Sequence, residues 1–73
     1  MPHVAGLGEL SRLEVYGLAG VDVLPSETDD AVRTAWHALR GDTLVVLLTP
    51  RAAAALGSLL DDATAPLTVV LPS

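Results

Sequence analysis

Four parallel strands alternating with three helices, an α/β fold in a single domain, is the architecture this sequence predicts. Three observations carry it. Short apolar runs recur at 21–24 (Val-Asp-Val-Leu), 44–48 (Leu-Val-Val-Leu-Leu) and 67–71 (Leu-Thr-Val-Val-Leu). Helix-like stretches separate them. The last two runs are apolar at nearly every position, which suits strands buried on both faces of a parallel sheet.

Each element follows from local chemistry. Residues 3–8, His-Val-Ala-Gly-Leu-Gly, read as a first strand entering a glycine turn. In 10–19, Leu10, Leu13, Tyr16 and Leu18 fall at helical spacing, and Gly20 is a natural stop because glycine accepts the left-handed cap conformation. The second strand, 21–24, ends at Pro25. Ser26, three residues before Asp29, forms a capping-box pattern, with Thr28 as an alternative cap. The helix that follows runs to about Leu39, with an apolar stripe of Ala31, Val32, Ala35, Trp36 and Leu39. Asp29 and Asp30 at its start and Arg40 at its end suit the helix dipole. The third strand is 43–48. Thr49 as N-cap and Pro50 at the first helical position open the next helix, predicted to continue to Leu60. A loop over 61–66 leads to the fourth strand, 67–71.

Alternation of strand and helix with short connections implies a parallel sheet with right-handed crossovers. The expected strand order is 2-1-3-4, as in small flavodoxin-like or Rossmann-like three-layer sheets. In that order the first helix lies on one face, and the second and third lie on the other. The third and fourth strands then keep an uncovered face although both are apolar on both sides. Such a face is a candidate interaction surface, and the residues assigned to it are Leu44, Val46, Leu67, Val69 and Leu71.

Composition excludes several function classes. At 73 residues the chain is one domain, 1–73, near the lower limit for a self-sufficient core. Its 51% apolar content is incompatible with intrinsic disorder. A formal charge of −5, with four Arg and no Lys, argues against nucleic acid and anionic membranes as partners. There is no Cys, which removes thiolate catalysis and cysteine zinc sites. No run is long enough for a membrane span, and Met-Pro-His-Val does not open a signal peptide, so a cytoplasmic location is the expectation.

No set of residues makes a convincing catalytic centre, and no cofactor or metal is expected. Gly6-Leu7-Gly8 matches only the start of a dinucleotide fingerprint. Ser11 stands where its third glycine belongs, and a tight turn explains the pair as well. Gly8, Glu9 and Thr49 all lie at carboxyl ends of strands, where open α/β sheets bind ligands, and form a candidate strand-end site. Thr49 is equally explained as a helix cap. A phospho-receiver reading fails because the third strand ends in Leu48-Thr49 and the chain has no Lys. His3 and His37 lack metal-ligand spacing, and no serine has a nucleophile-elbow context. Asp61-Asp62 reads as a solvated loop, and Trp36 as a core anchor or an interface hot spot.

Several segments, in order, resemble the N-terminal domain of the F-type central-stalk component of V-type and archaeal-type rotary ATPases. Gly8-Glu9 followed by Tyr16 and Leu18-Ala19-Gly20-Val21 is similar to that family's Gly-Asp pair and Gly-Phe-Arg-Leu-Ala-Gly-Val signature. Glu9 stands for the Asp, Val15 for the Gly, Tyr16 for the Phe and Gly17 for the basic residue. Leu47-Leu48-Thr49 resembles its Leu-Ile-Thr-Glu segment, with Pro50 in the Glu position. The stretch from Pro66 to Pro72-Ser73 resembles its closing Ile-Pro-Ser strand. The resemblance implies a non-catalytic central-stalk protein that binds the coiled-coil rotor shaft of the ATPase. The family's C-terminal regulatory helix has no counterpart up to Ser73, so its regulatory role is not expected here.

The leading expectation is therefore a non-enzymatic interaction module using an apolar sheet face or the edge of the fourth strand. The alternatives are a repurposed stand-alone homodimeric adaptor and a small-ligand or nucleotide sensor at the strand ends.

Overall fold

A computed structural model describes residues 3–72. Met1, Pro2 and Ser73 lie outside the described residues, and with them the opening Met-Pro and the last residue of the closing Pro72-Ser73 pattern. Element order is β1 (His3–Gly8), α1 (Leu10–Leu18), β2 (Asp22–Pro25), α2 (Asp29–His37), β3 (Thr43–Leu48), α3 (Pro50–Leu56), a 3-10 turn (Gly57–Asp61) and β4 (Leu67–Val70). All strand pairs are parallel and the order is β2-β1-β3-β4. This is the α/β three-layer arrangement and strand order expected from the sequence.

The main core lies on the face covered by α2 and α3. Leu7, Val32, Val46, Leu48, Ala52 and Leu56 form one buried cluster, and Leu24, Trp36 and Leu39 pack against it. On the opposite face α1 covers β1 and β2. Its Leu13 is fully buried, and it rests on Gly6, where an added Cβ would meet Leu13 Cδ2 at 3.3 Å. The missing side chain at Gly6 is what lets the helix settle close to the strand. Burying a leucine in this way contributes about 1.5–3 kcal/mol.

Four local expectations are corrected. Thr28, not Ser26, caps α2, accepting a hydrogen bond from the Ala31 amide at 3.1 Å. The Ser26 hydroxyl instead donates to the Leu24 carbonyl at 2.9 Å and is buried. The third helix does not run unbroken to Leu60. It stops at Leu56, because Gly57 takes a φ of +50°, and the chain continues as a 3-10 turn. Leu18 is not part of the inward stripe of α1, being 91% exposed. Helical spacing carries it about 140° around the axis from Leu13.

The fourth correction concerns the open face. Val46 is fully buried in the α2/α3 core and cannot contribute to an exposed surface. The β3–β4 register pairs Val45 with Leu67 and Leu47 with Val69. Paired positions in parallel strands point the same way, so Val45 and Leu47, not Leu44 and Val46, share a face with Leu67 and Val69. Leu44 is exposed, but it is the extra residue of a β-bulge: His3 pairs with Thr43 and Val4 with Val45.

Candidate functional site

The sheet presents two regions that the sequence singled out: the carboxyl ends of β1 and β3, and the uncovered face of β3 and β4. At the strand ends, Gly8, Glu9 and Thr49 do come together. Thr49 donates from Oγ1 to Glu9 Oε1 at 2.6 Å, and the same oxygen accepts from the Ala52 amide at 3.2 Å to cap α3. The other carboxylate oxygen of Glu9 lies 3.5 Å from Arg12 Nε. The Thr49 hydroxyl holds the Glu9 carboxyl below its ordinary range. Partial desolvation opposes this shift, and Arg12 and Arg51 add to it.

Gly8 explains how these groups fit. Its φ is +138°, and a Cβ there would stand 2.2 Å from Thr49 Oγ1. Glycine leaves the space that the threonine fills. Gly6 lies within β1 beneath Leu13, and β1 runs through Gly8, so the glycine pair does not form a phosphate-cradling loop. Thr49 is fully buried, which keeps its hydroxyl away from any substrate despite the carboxylate beside it. The cluster ties the β1–α1 junction to the β3–α3 junction. The Ser26 amide adds β2, donating to the Gly8 carbonyl at 2.7 Å. Glu27, which carried no expectation, accepts from the Leu10 amide at 3.2 Å and serves the start of α1 from a distant position. Sequence spacing gives no signal for that pairing, because 17 residues separate the two.

The histidines do no chemistry visible here. His3 Nε2 meets Asp22 Oδ2 at 3.0 Å, joining the starts of β1 and β2, and His37 is exposed at the end of α2. Among the described residues, no group of three or more His, Cys, Asp or Glu side chains could hold a metal ion. No helix among them is long and apolar enough to cross a membrane.

The second region is apolar and open. Leu67 is 68% exposed and Val69 44%, while Val45 and Leu47 beside them are half-buried. Leu71 follows in the same alternation, its amide extending the ladder to the Leu48 carbonyl at 2.8 Å. Arg12 and Tyr16, four residues apart, share one flank of α1. Because Arg12 reaches Glu9, and Glu9 is held by Thr49 at the end of β3, that flank borders the open face. Three of the expected interface residues, Leu67, Val69 and Leu71, therefore lie on this face, and Val45 and Leu47 replace the other two.

The two sheet edges differ. The β2 edge carries exposed Asp22 and ends in Pro25, both of which discourage further strand pairing. The β4 edge, Leu-Thr-Val-Val, has no charge and no proline within it.

No protein-family model matches the chain, and no curated protein matches it.

Proposed function

We propose that this domain is a non-catalytic interaction module that docks a helix of a protein partner on the uncovered face of β3 and β4. The single observation behind this reading is the absence, among the described residues, of any helix over Val45, Leu47, Leu67 and Val69, all apolar. The opposite face has two helices and this one has one. Two neighbouring strands span about 10 Å, close to the roughly 10–12 Å diameter of a helix with its side chains. A single apolar helix stripe would complete the layer.

The resemblance to the F-type central-stalk component of V-type and archaeal-type rotary ATPases favours a specific partner, the coiled-coil rotor shaft of such an enzyme. In this reading the chain is a central-stalk element of a proton-translocating ATPase, located in the cytoplasm and without catalytic residues of its own. A second reading, a homodimeric adaptor, is favoured by the unguarded β4 edge, which offers free backbone groups for antiparallel pairing with another copy.

Size-exclusion chromatography of the purified chain, alone and with the purified rotor-shaft protein of the same organism, separates the two. Co-elution that Val69→Asp abolishes in a still folded protein supports the rotor-stalk reading. A dimer in the absence of the shaft, lost in the same variant, supports the adaptor. A monomer that ignores the shaft overturns both.

A further inference from the structure

We infer that the cavity at the amino-terminal ends of β3 and β4 is a binding site for a free α-amino acid with an apolar side chain. It lies on the α2/α3 side of the sheet, between the end of α2 and the loop before β4, away from the proposed docking face. Its volume is about 290 Å³. That is at the small end of ligand pockets and suits a molecule of amino-acid size.

The chemistry of the lining selects a zwitterion. Arg40 and Asp62 both border the cavity, giving it one positive and one negative group. Each is held in place by bonds that leave one side free. Arg40 is anchored to Asp42 through Nε and Nη2, both at 3.1 Å, and among the described residues its Nη1 has no partner. Asp62 accepts through Oδ1 from the Thr64 amide at 2.9 Å and from the Thr64 hydroxyl at 2.8 Å, and Oδ2 remains open. These bonds to Thr64 also keep the Asp62 carboxyl below its ordinary range, so it is ionised at neutral pH. A carboxylate facing Arg40 and an ammonium facing Asp62 would meet donors and acceptors already fixed in place, which lowers the ordering cost of binding.

An independent observation points to a ligand at the same place. Thr43 borders the cavity and is only 9% exposed. Its Oγ1 is buried without a hydrogen-bond partner among the described residues. A buried hydroxyl left unpaired costs about 1–3 kcal/mol, so such atoms are rare in folded proteins and mark places where a partner is expected. Trp36 and Pro66 supply an apolar wall for the side chain.

Trp36 is the only tryptophan, so its fluorescence reports on this cavity alone. The test titrates the chain with L-leucine and with two one-charge analogues, isocaproate and isoamylamine. The expected result is a saturable fluorescence change with L-leucine and at least about tenfold weaker binding of either analogue, as expected for losing one charged hydrogen-bonded contact. Asp62→Asn, a change at an exposed position that should not disturb folding, should weaken L-leucine binding by about tenfold, and the isosteric Thr43→Val by about threefold. A rise in thermal midpoint with L-leucine should accompany the fluorescence change. No saturable change up to about 10 mM would overturn the assignment, as would equal response to either analogue or unchanged binding by Asp62→Asn. Because the docking face is elsewhere, failure here leaves the interaction reading intact, and the reverse also holds.

Discussion

Gly8, Glu9 and Thr49 show how three residues with a functional look can be consumed by structure. Each stands where an α/β sheet would place ligand contacts, yet their polar atoms are spent on one another. Gly8→Ala should cost more than about 1 kcal/mol, because the new methyl would enter space held by Thr49 at a backbone angle that alanine resists. Chemical denaturation measures it. Thr49→Val removes both a helix cap and the donor to Glu9, with an expected loss of about 2 kcal/mol. The pH dependence has a definite sign. The folded-state pKa of Glu9 lies below its ordinary value of 4.5, so its contribution to stability is present above that value and lost as pH falls through the folded-state pKa. The stability gap between wild type and Glu9→Gln should therefore be largest near neutrality and close in acid. A gap that is constant with pH would remove the ionised Glu9 from this account. The residue identities at this cluster were legible in sequence. Their mutual bonding was not, because 40 positions separate Glu9 from Thr49.

Among the elements, type and order followed from pattern, whereas facing and termination did not. Strands β3 and β4 are apolar at consecutive positions, so sequence alone cannot say which alternate set points to the core. The bulge at Leu44 and the pairing of Val45 with Leu67 decide it. This assignment is testable with two variants. Val46→Asp should unfold the domain, since a core carboxylate costs several kcal/mol out of the roughly 4–11 kcal/mol expected for a chain of this length. Val69→Asp should leave circular dichroism and thermal midpoint nearly unchanged. Equal destabilisation by both would mean that Val69 faces the core. The cap of α2 offers a similar case, with Ser26 and Thr28 both chemically suitable. Thr28 has the extended backbone and the bond to Ala31, so Thr28→Ala should cost about 1 kcal/mol, which thermal unfolding should resolve. The break at Gly57 went unread because an alanine-rich helix tolerates glycine near its end as a stop or as an interior weak point.

For the molecule as a whole, the uneven count of helices on the two faces has the most consequence. A 73-residue chain has little apolar surface to spare, and leaving Leu67 and Val69 in water wastes part of it. A partner helix or a second copy would recover that burial. Val15 and Leu18 on the outer side of α1 add further exposed apolar surface. Sedimentation velocity over a range of concentrations should show whether the net charge of −5 suffices to keep copies apart.

The sequence by itself determined the fold class, the strand order, the number of helices and the fact that one sheet face would lack a cover. These depend on periodicity, turn chemistry and the handedness of crossovers, all of which act over short stretches of chain. The tertiary structure alone decided that Val45 and Leu47 line that face, that Gly8, Glu9 and Thr49 close on each other, and that Thr43 is left unpaired beside Arg40 and Asp62. Those outcomes depend on register and on contacts between residues far apart in sequence. A shift of one position in a strand reverses the direction of its side chains while leaving its composition unchanged.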